Sequence, residues 1–210
     1  MKSDFFYLDY NATTNLHPDV LLAMKNALED SFANASSPHQ LGREALIQVD
    51  KARQQVADLV GSEPRKVRFT SGATESNNWV IYALRQMHHH PQAKILVSEV
   101  EHPSVYELGD LFVPILSDGR VDLGALEEMI QKHHQEIALV SIMSANNETG
   151  IIQPIEDIYQ ICKRENVLFH TDATQIFGKI SMEITADFIT LSAHKFGGPK
   201  GIGALILNTE

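Results

Sequence analysis

The sequence predicts an α/β protein, a three-layer α/β/α arrangement in which a mostly parallel sheet is covered by helices on both faces. Short apolar runs alternate with helical patterns from about residue 67 onward, so the hydrophobic period switches repeatedly between about 2 and about 3.6. No internal repeat or low-complexity linker divides the 210 residues. With 43% apolar and 21% charged residues, the composition is that of an ordinary globular protein. These observations favour strands joined by covering helices.

Two helices are predicted first. Apolar residues recur at helical spacing after Pro18, and this helix ends near Asp30. A second helix ends before Gly61. Its apolar face, which we expect to be buried, consists of Ala45, Val49, Ala52, Val56 and Leu59.

Strands and helices alternate along the rest of the chain. The predicted strands cover residues 67–70, 95–98, 112–115, 137–142, 167–171, 187–191 and 204–207. The predicted helices cover residues 73–87, 122–133 and 154–164, and a further segment follows Pro103. Cys162 falls on the apolar stripe of the helix at 154–164, so we expect it to face the core.

The net charge of −10 excludes some classes of partner. An acidic chain is not attracted to phosphate backbones or anionic membranes, so we expect neither a nucleic acid nor a membrane partner. Cys162 is the single cysteine, which excludes an intrachain disulfide and a cysteine-rich metal cluster. No secretory or membrane-spanning apolar run is present, so a reducing cytoplasm is the expected location.

A lysine and a carboxylate follow two of the predicted strands. Lys195 lies after the strand at 187–191 and before four glycines, where partial desolvation would free its amine to condense with a carbonyl. Asp172 directly follows the run 167–171, where it could hold a ring nitrogen protonated, and Gln175 could reach a ligand oxygen. A solvated turn lysine and a carboxylate that caps the next segment are the structural alternatives.

Further polar groups follow other strands. The segment at 70–77 joins a strand to a helix and offers hydroxyls and backbone N–H groups to an anion, although a simple helix cap explains it as well. His102 follows the strand at 95–98, where it could stack on a ring or carry a proton. The turn at 146–150 supplies amides. Together these groups predict a ligand site at one sheet edge.

Two other clusters favour structural interpretations. Consecutive side chains point in different directions, so His88, His89 and His90 make a poor metal site, and we expect no metal. Cys162 is mid-helix on an apolar face and is better interpreted as a buried hydrophobe than as a nucleophile.

Six segments in this order resemble the cysteine desulfurases, which are class-V, fold-type I pyridoxal-phosphate enzymes. They are residues 7–14 (YLDYNATT), 70–76 (TSGATES), 101–102 (EH), 146–150 (NNETG), 170–175 (HTDATQ) and 192–195 (SAHK). The resemblance covers essentially the whole chain. It implies that residues 16–210 form the large, cofactor-binding domain after a leader at 1–15, and that the family's small C-terminal domain is absent from this chain.

The resemblance also implies roles for the residues around pyridoxal 5′-phosphate. Lys195 would bond the cofactor aldehyde and later move protons at the substrate. Asp172 would keep the pyridine nitrogen protonated, Gln175 would contact the phenolic oxygen, and His102 would stack on the ring and assist proton transfer. Asn147 would contact the cofactor and the substrate. The phosphate would be held by Ala73, Thr74, Ser192 and His194.

The implied reaction removes sulfur from L-cysteine, leaving L-alanine and an enzyme persulfide destined for iron–sulfur cluster or thio-cofactor biosynthesis. A homodimer and a sulfur-acceptor or iron–sulfur scaffold protein are the implied partners. The family's nucleophilic cysteine and its carboxylate-binding arginine have no counterpart here, so we expect little or no turnover from this chain alone. The alternatives are a related class-V lyase such as a selenocysteine lyase, or a non-catalytic cofactor-binding or interaction module.

Overall fold

The structure, a computed structural model, describes residues 6–209. Its helices are α1 (Pro18–Asp30), α2 (Gln40–Val60), α3 (Ala73–Met87), α4 (Pro103–Tyr106), α5 (Leu123–His133) and α6 (Ile155–Arg164). Its strands are β1 (Val67–Thr70), β2 (Lys94–Ser98), β3 (Leu111–Val113), β4 (Ile137–Ser141), β5 (Phe169–Asp172), β6 (Phe188–Ser192) and β7 (Gly203–Leu207). Short 3₁₀ turns occupy Pro64–Lys66 and Ala193–Lys195.

The seven strands form one sheet in the order β1-β7-β6-β5-β4-β2-β3. Strand β7 is antiparallel to both of its neighbours, while the other pairs are parallel. Six strands therefore run in the same direction, and their carboxyl ends share one edge. The predicted mostly parallel sheet is confirmed, and the reversed strand is a feature that the apolar pattern of residues 204–207 does not reveal.

Apolar residues pack on both faces of this sheet. In β2, Leu96 belongs to the cluster that includes α5 and α6, whereas Ile95 and Val97 belong to the cluster that includes α3 and α4. This alternation follows from the two-residue period of a strand, and it places helices on opposite faces. Cys162 is fully buried in the first cluster, as its position on the apolar stripe predicts.

The prediction of a buried apolar face on α2 is wrong for most of its residues. Ala45 is buried and Ala52 and Val56 are half-buried, but Val49 and Leu59 are exposed. The reason is that α2 lies at the sheet edge, where it contacts β1 and the turn at Pro64–Lys66 rather than the broad face of the sheet. Helix α1 likewise contains no buried residue.

Two strand ends differ from the predicted bounds in a way that matters for ligand binding. Asp172 is the last residue of β5, and Ser192 is the last residue of β6. Both residues are therefore held by strand pairing at the shared carboxyl edge. Thr70, Gly203 and Ser192 pair across three neighbouring strands at that same edge.

Candidate active site

A cavity of about 460 Å³ lies at the carboxyl edge of the sheet. Its volume is in the range of small-molecule sites, about 300–1,000 Å³. The structure brings all the sequence-predicted site residues to its walls: Ala73, Thr74, His102, Asn147, Asp172, Gln175, Ser192, His194 and Lys195. These residues lie at the ends of five different strands or in the segments that follow them, so the topology rather than local sequence assembles them.

The loop between β1 and α3 forms one end of the cavity. Gly72 precedes the helix with φ 155° and offers no capping side chain to it. The Ser71 N–H is not free, because it donates to Glu75 Oε2 at 2.6 Å. The Ser71 side chain, and after it this backbone N–H, lower the pKa of Glu75 by hydrogen bonding. Ala73 and Thr74 begin α3, and backbone N–H groups in the first turn of a helix have no acceptor within the helix and favour an anion.

Glycine at the start of β7 allows this loop to lie against the sheet. A Cβ atom at Gly203 would lie 2.6 Å from Gly72 Cα and 2.7 Å from Leu191 O. The close approach brings the loop beside β6, where a Cβ at Gly72 would be 3.9 Å from Ser192 Oγ. Backbone donors and the serine hydroxyl thus share one end of the cavity.

Asp172 is buried and holds two hydrogen bonds. Its Oδ1 accepts from the backbone N–H of Thr174 at 3.0 Å, and its Oδ2 accepts from Asn77 Nδ2 at 2.8 Å. Because both partners are donors, they fix the orientation of the carboxylate. Sequence reasoning gave Asn77 no role. The available signal was a polar residue within the buried stripe of α3 that also contains Val80 and Ile81.

Lys195 ends the 3₁₀ turn that follows β6 and is half-buried. Its Nζ donates to the backbone oxygen of Asn11 at 2.7 Å. Burial lowers the pKa of this amine, while the carboxylates of Asp172 and Asp9 act in the opposite direction. A lowered pKa increases the fraction of neutral amine, which is the nucleophilic form.

The N-terminal segment crosses to the cavity, and sequence reasoning assigned its residues no separate role. Thr13 Oγ1 lies 3.0 Å from His194 Nδ1, and the Thr14 N–H donates to His194 O at 2.8 Å. Burial lowers the pKa of His194, and the charges of Lys195 and Lys200 act in the same direction. Lys200 also lines the cavity.

Three further predicted residues differ in how they are held. Gln175 donates from Nε2 to Asn11 O at 2.9 Å and accepts from Lys179 Nζ at 2.5 Å. His102 is exposed, and its Nδ1 accepts from the Ser104 N–H at 3.1 Å. Asn147 is half-buried and lines the cavity within the turn that follows β4.

The remaining sequence clusters do not add a site. Within residues 6–209, no group of three or more His, Cys, Asp or Glu side chains is arranged to hold a metal ion. His88 and His90 accept hydrogen bonds from backbone N–H groups two residues ahead, at 3.1 and 3.2 Å. Burial raises the pKa of Cys162 to about 12, so its thiol is not a ready nucleophile. Among the described helices, none is long and apolar enough to cross a membrane.

A family model described as "Aminotransferase class-V" matches residues 6–210. The chain belongs to this class-V aminotransferase family.

Curated proteins with similar sequences are cysteine desulfurases. The chain is 40% identical over 212 residues to "Cysteine desulfurase, mitochondrial" of Drosophila melanogaster, covering 95% of this chain and 45% of the relative. It is 41% identical over 217 residues to "Cysteine desulfurase IscS" of Dictyoglomus turgidum, covering 96% of this chain and 53% of the relative.

Solved structures support the class-V assignment. A protein titled "NIFS-LIKE PROTEIN" matches with a TM-score of 0.89 at 37% identity, covering 97% of this chain and 59% of that chain. A structure titled "SspA in complex with cysteine" matches with a TM-score of 0.88 at 35% identity, covering 97% of this chain and 61% of that chain. The expected fold-type I architecture is thus confirmed. This chain spans about half the length of the two curated relatives described above.

Proposed function

We propose that this chain holds pyridoxal 5′-phosphate and provides the cofactor-binding part of a cysteine desulfurase. The observation that carries the proposal is one cavity lined by a partly desolvated lysine amine, a buried carboxylate and an anion cradle at a helix N-terminus. In this proposal residues 16–210 are the large domain, and residues 1–15 are a leader whose Asn11 contacts Lys195. Residues 1–5 of that leader lie outside the described part of the chain.

The residues present fit a pyridine ring that carries an aldehyde and a phosphate. Thr174 lines the cavity and is 8% exposed, yet its Oγ1 has no hydrogen-bond partner among the described residues. A buried hydroxyl without a partner costs about 1–3 kcal/mol, so a polar ligand atom would stabilise it. The cavity also places hydroxyl and N–H donors at one end and a carboxylate in its wall, as an anionic ligand with a basic ring nitrogen requires.

Each residue has a proposed task toward this ligand. Asp172 would hold a proton on the ring nitrogen, and Gln175 would donate to the phenolic oxygen. His102 would lie against the ring and move a proton, and Asn147 would contact the cofactor and the substrate. The phosphate would be bound by Ala73, Thr74, Ser192 and His194.

Bound pyridoxal phosphate would supply an aldehyde that condenses with amines and a protonated ring that takes up electrons from a breaking bond. Lys195 provides the amine for that aldehyde, and its lowered pKa makes it competent as both nucleophile and proton acceptor. The substrate we propose is L-cysteine. Its sulfur passes to a thiol, R–SH, so that L-cysteine and R–SH become L-alanine and R–S–SH.

The accepting thiol is not supplied by the one cysteine of this sequence. Cys162 is fully buried in α6, and burial raises its pKa to about 12. We therefore propose that a thiol from elsewhere accepts the sulfur and that this chain alone has little or no turnover. A homodimer, a sulfur-acceptor or iron–sulfur scaffold protein and a cytoplasmic location remain parts of the proposal.

Chemical trapping of the cofactor tests the proposal. The chain is incubated with pyridoxal phosphate, reduced with borohydride and digested, and the modified lysine is found by mass spectrometry. We expect the pyridoxyl label on Lys195, and we expect its loss in Lys195→Ala. Lys163→Ala is the control, since the Lys163 amine lies over the Tyr159 ring and Lys163 is not among the residues that line the cavity.

Lys179 makes this trapping experiment discriminating. Burial lowers the pKa of this amine too, and its Nζ lies 3.3 Å from Asn11 Oδ1, on the residue that Lys195 also contacts. A label on Lys179 that survives Lys195→Ala would overturn the assignment. Alanine formation from L-cysteine tests the sulfur step, and robust turnover by this chain alone would contradict the proposal that it has little or no activity by itself.

A further inference from the structure

A hydrogen-bonded path joins Asp172 to His102 along one wall of the cavity. Asn77 Nδ2 lies 2.8 Å from Asp172 Oδ2 and 3.0 Å from Ser104 Oγ. Ser104 Oγ lies in turn 2.8 Å from His102 Nδ1. The two connecting side chains belong to α3 and α4, whereas Asp172 ends β5 and His102 caps α4. The path therefore exists only in the folded chain.

The chemistry of the groups fixes the direction of each hydrogen bond. An ionised carboxylate only accepts, so Asn77 must present its NH₂ group to Asp172. The second N–H of that amide then donates to Ser104 Oγ, which leaves the hydroxyl proton free to be donated to His102 Nδ1. The backbone N–H of Ser104 donates to the same nitrogen at 3.1 Å.

Two donors aimed at Nδ1 leave no room for a proton on that atom. The neutral imidazole of His102 must then carry its proton on Nε2. A backbone N–H cannot rotate away, and the hydroxyl is held in place by Asn77. The path through Asn77 thus supplies the second of these donors, the Ser104 hydroxyl, beside the Ser104 N–H that faces the same nitrogen.

The burial of Asn77 supports a role beyond packing. The residue is 0% exposed, and its Oδ1 has no hydrogen-bond partner among the described residues. Leaving a buried carbonyl oxygen unpaired is unfavourable, and an apolar side chain of similar size would avoid it. What the amide adds at this position is the pair of bonds to Asp172 and Ser104.

We propose that Asn77 and Ser104 are positioning residues that hold the Asp172 carboxylate and the Nε2–H form of His102 as one unit. The importance of this unit for cofactor binding rests on the proposed function, in which Asp172 faces the ring nitrogen and His102 lies against the ring. Substitution of either positioning residue would then perturb both groups, although Asn77 contacts only one of them directly.

Nitrogen NMR of the cofactor-free chain labelled with ¹⁵N-histidine tests the path directly. Wild type is compared in mildly alkaline buffer with Ser104→Ala, Ser104→Thr and Asn77→Leu, and His102→Ala identifies the resonances. Ser76→Ala is the matched control, because Ser76 is the buried neighbour of Asn77 and its Oγ bonds Thr70 instead.

The expected result is a non-protonated, hydrogen-bonded Nδ1 and a protonated Nε2 for His102 in wild type. The Nδ1 resonance should move toward that of an unbonded nitrogen in Ser104→Ala and Asn77→Leu, and keep its position in Ser104→Thr and Ser76→Ala. A proton on Nδ1 in wild type, or no movement in Ser104→Ala, would overturn the proposal. The buried His170, which bonds Ser141 at 2.7 Å, reports whether each variant is folded.

Cofactor affinity provides a second readout. The dissociation constant for pyridoxal phosphate is measured for Asn77→Leu, for His102→Ala and for the double variant. The effect of the double variant should differ from the product of the two single effects by about threefold or more, and this difference should vanish when all three proteins also carry Ser104→Ala. Additive effects would overturn the idea of a single unit. If the wild-type chain binds no pyridoxal phosphate, the proposed function fails, while the NMR comparison still decides whether the path exists.

Discussion

Gly203→Ala tests whether close backbone packing builds the anion end of the cavity. The added Cβ would lie 2.6 Å from Gly72 Cα, 2.7 Å from Leu191 O and 2.8 Å from Gly72 C. All three neighbours are backbone atoms, so no side-chain rotation relieves the contact. An ordinary contact begins at 3.4 Å, and the Gly72 loop must therefore retreat by about 0.8 Å.

The size of the effect follows from this displacement. Overpacking a well-packed site costs about 1–3 kcal/mol, and a central value of about 2 kcal/mol lowers Tm by about 4–8 °C for a chain of this length. The loop that retreats also carries the N–H groups of Ala73 and Thr74. Loss of one hydrogen bond to a charged phosphate, worth about 1.5–3 kcal/mol, would weaken pyridoxal phosphate binding by about tenfold or more.

Thermal unfolding and absorbance titration with pyridoxal phosphate measure these two effects. Gly124→Ala is the matched control, because a Cβ there meets only Asp122 Oδ1 at 3.4 Å. Gly124 lies in α5, so this variant should be unchanged or stabilised by up to about 1 kcal/mol. If Gly203→Ala matched wild type in both Tm and affinity, close packing of the Gly72 loop against β7 would not be what shapes the cavity.

Two further predictions concern buried titratable groups. Burial raises the pKa of Glu101 to about 8, although hydrogen bonds from Ser98 and from the Met143 N–H lower this pKa in part. The folded state therefore binds more protons than the unfolded state between about pH 4.5 and 8. The free energy of unfolding should fall as pH rises through that window, by up to about 1.4 kcal/mol per unit, and urea unfolding of Glu101→Gln should show a shallower fall. Equal slopes for the two proteins would contradict the raised pKa. Cys162 should resist iodoacetamide in the native chain and react once urea unfolds it, because it is fully buried and its pKa is raised to about 12; rapid native labelling would show instead that the thiol is accessible.

Much of the fold could be predicted from the sequence because the relevant signals are local. Helix α3 begins at Ala73 and ends at Met87, as the apolar spacing predicts, and Pro18 and Gly61 mark the boundaries of α1 and α2. The exposure of Leu59 shows where that reasoning fails. Periodicity identifies the apolar face of a helix, but the neighbouring elements decide whether that face is covered.

The sequence by itself determined the α/β class, the family resemblance and the residues that gather at the carboxyl edge, since strand ends and their polar loops are visible as local patterns. Only the tertiary structure decided that β7 is reversed, that Asn11 contacts Lys195, and that Asn77 joins Asp172 to the Ser104–His102 pair. The physical reason is sequence separation. Asn77 and Asp172 are 95 residues apart, and Asn11 and Lys195 are 184 apart, so a hydrogen bond between them depends on the path of the whole chain.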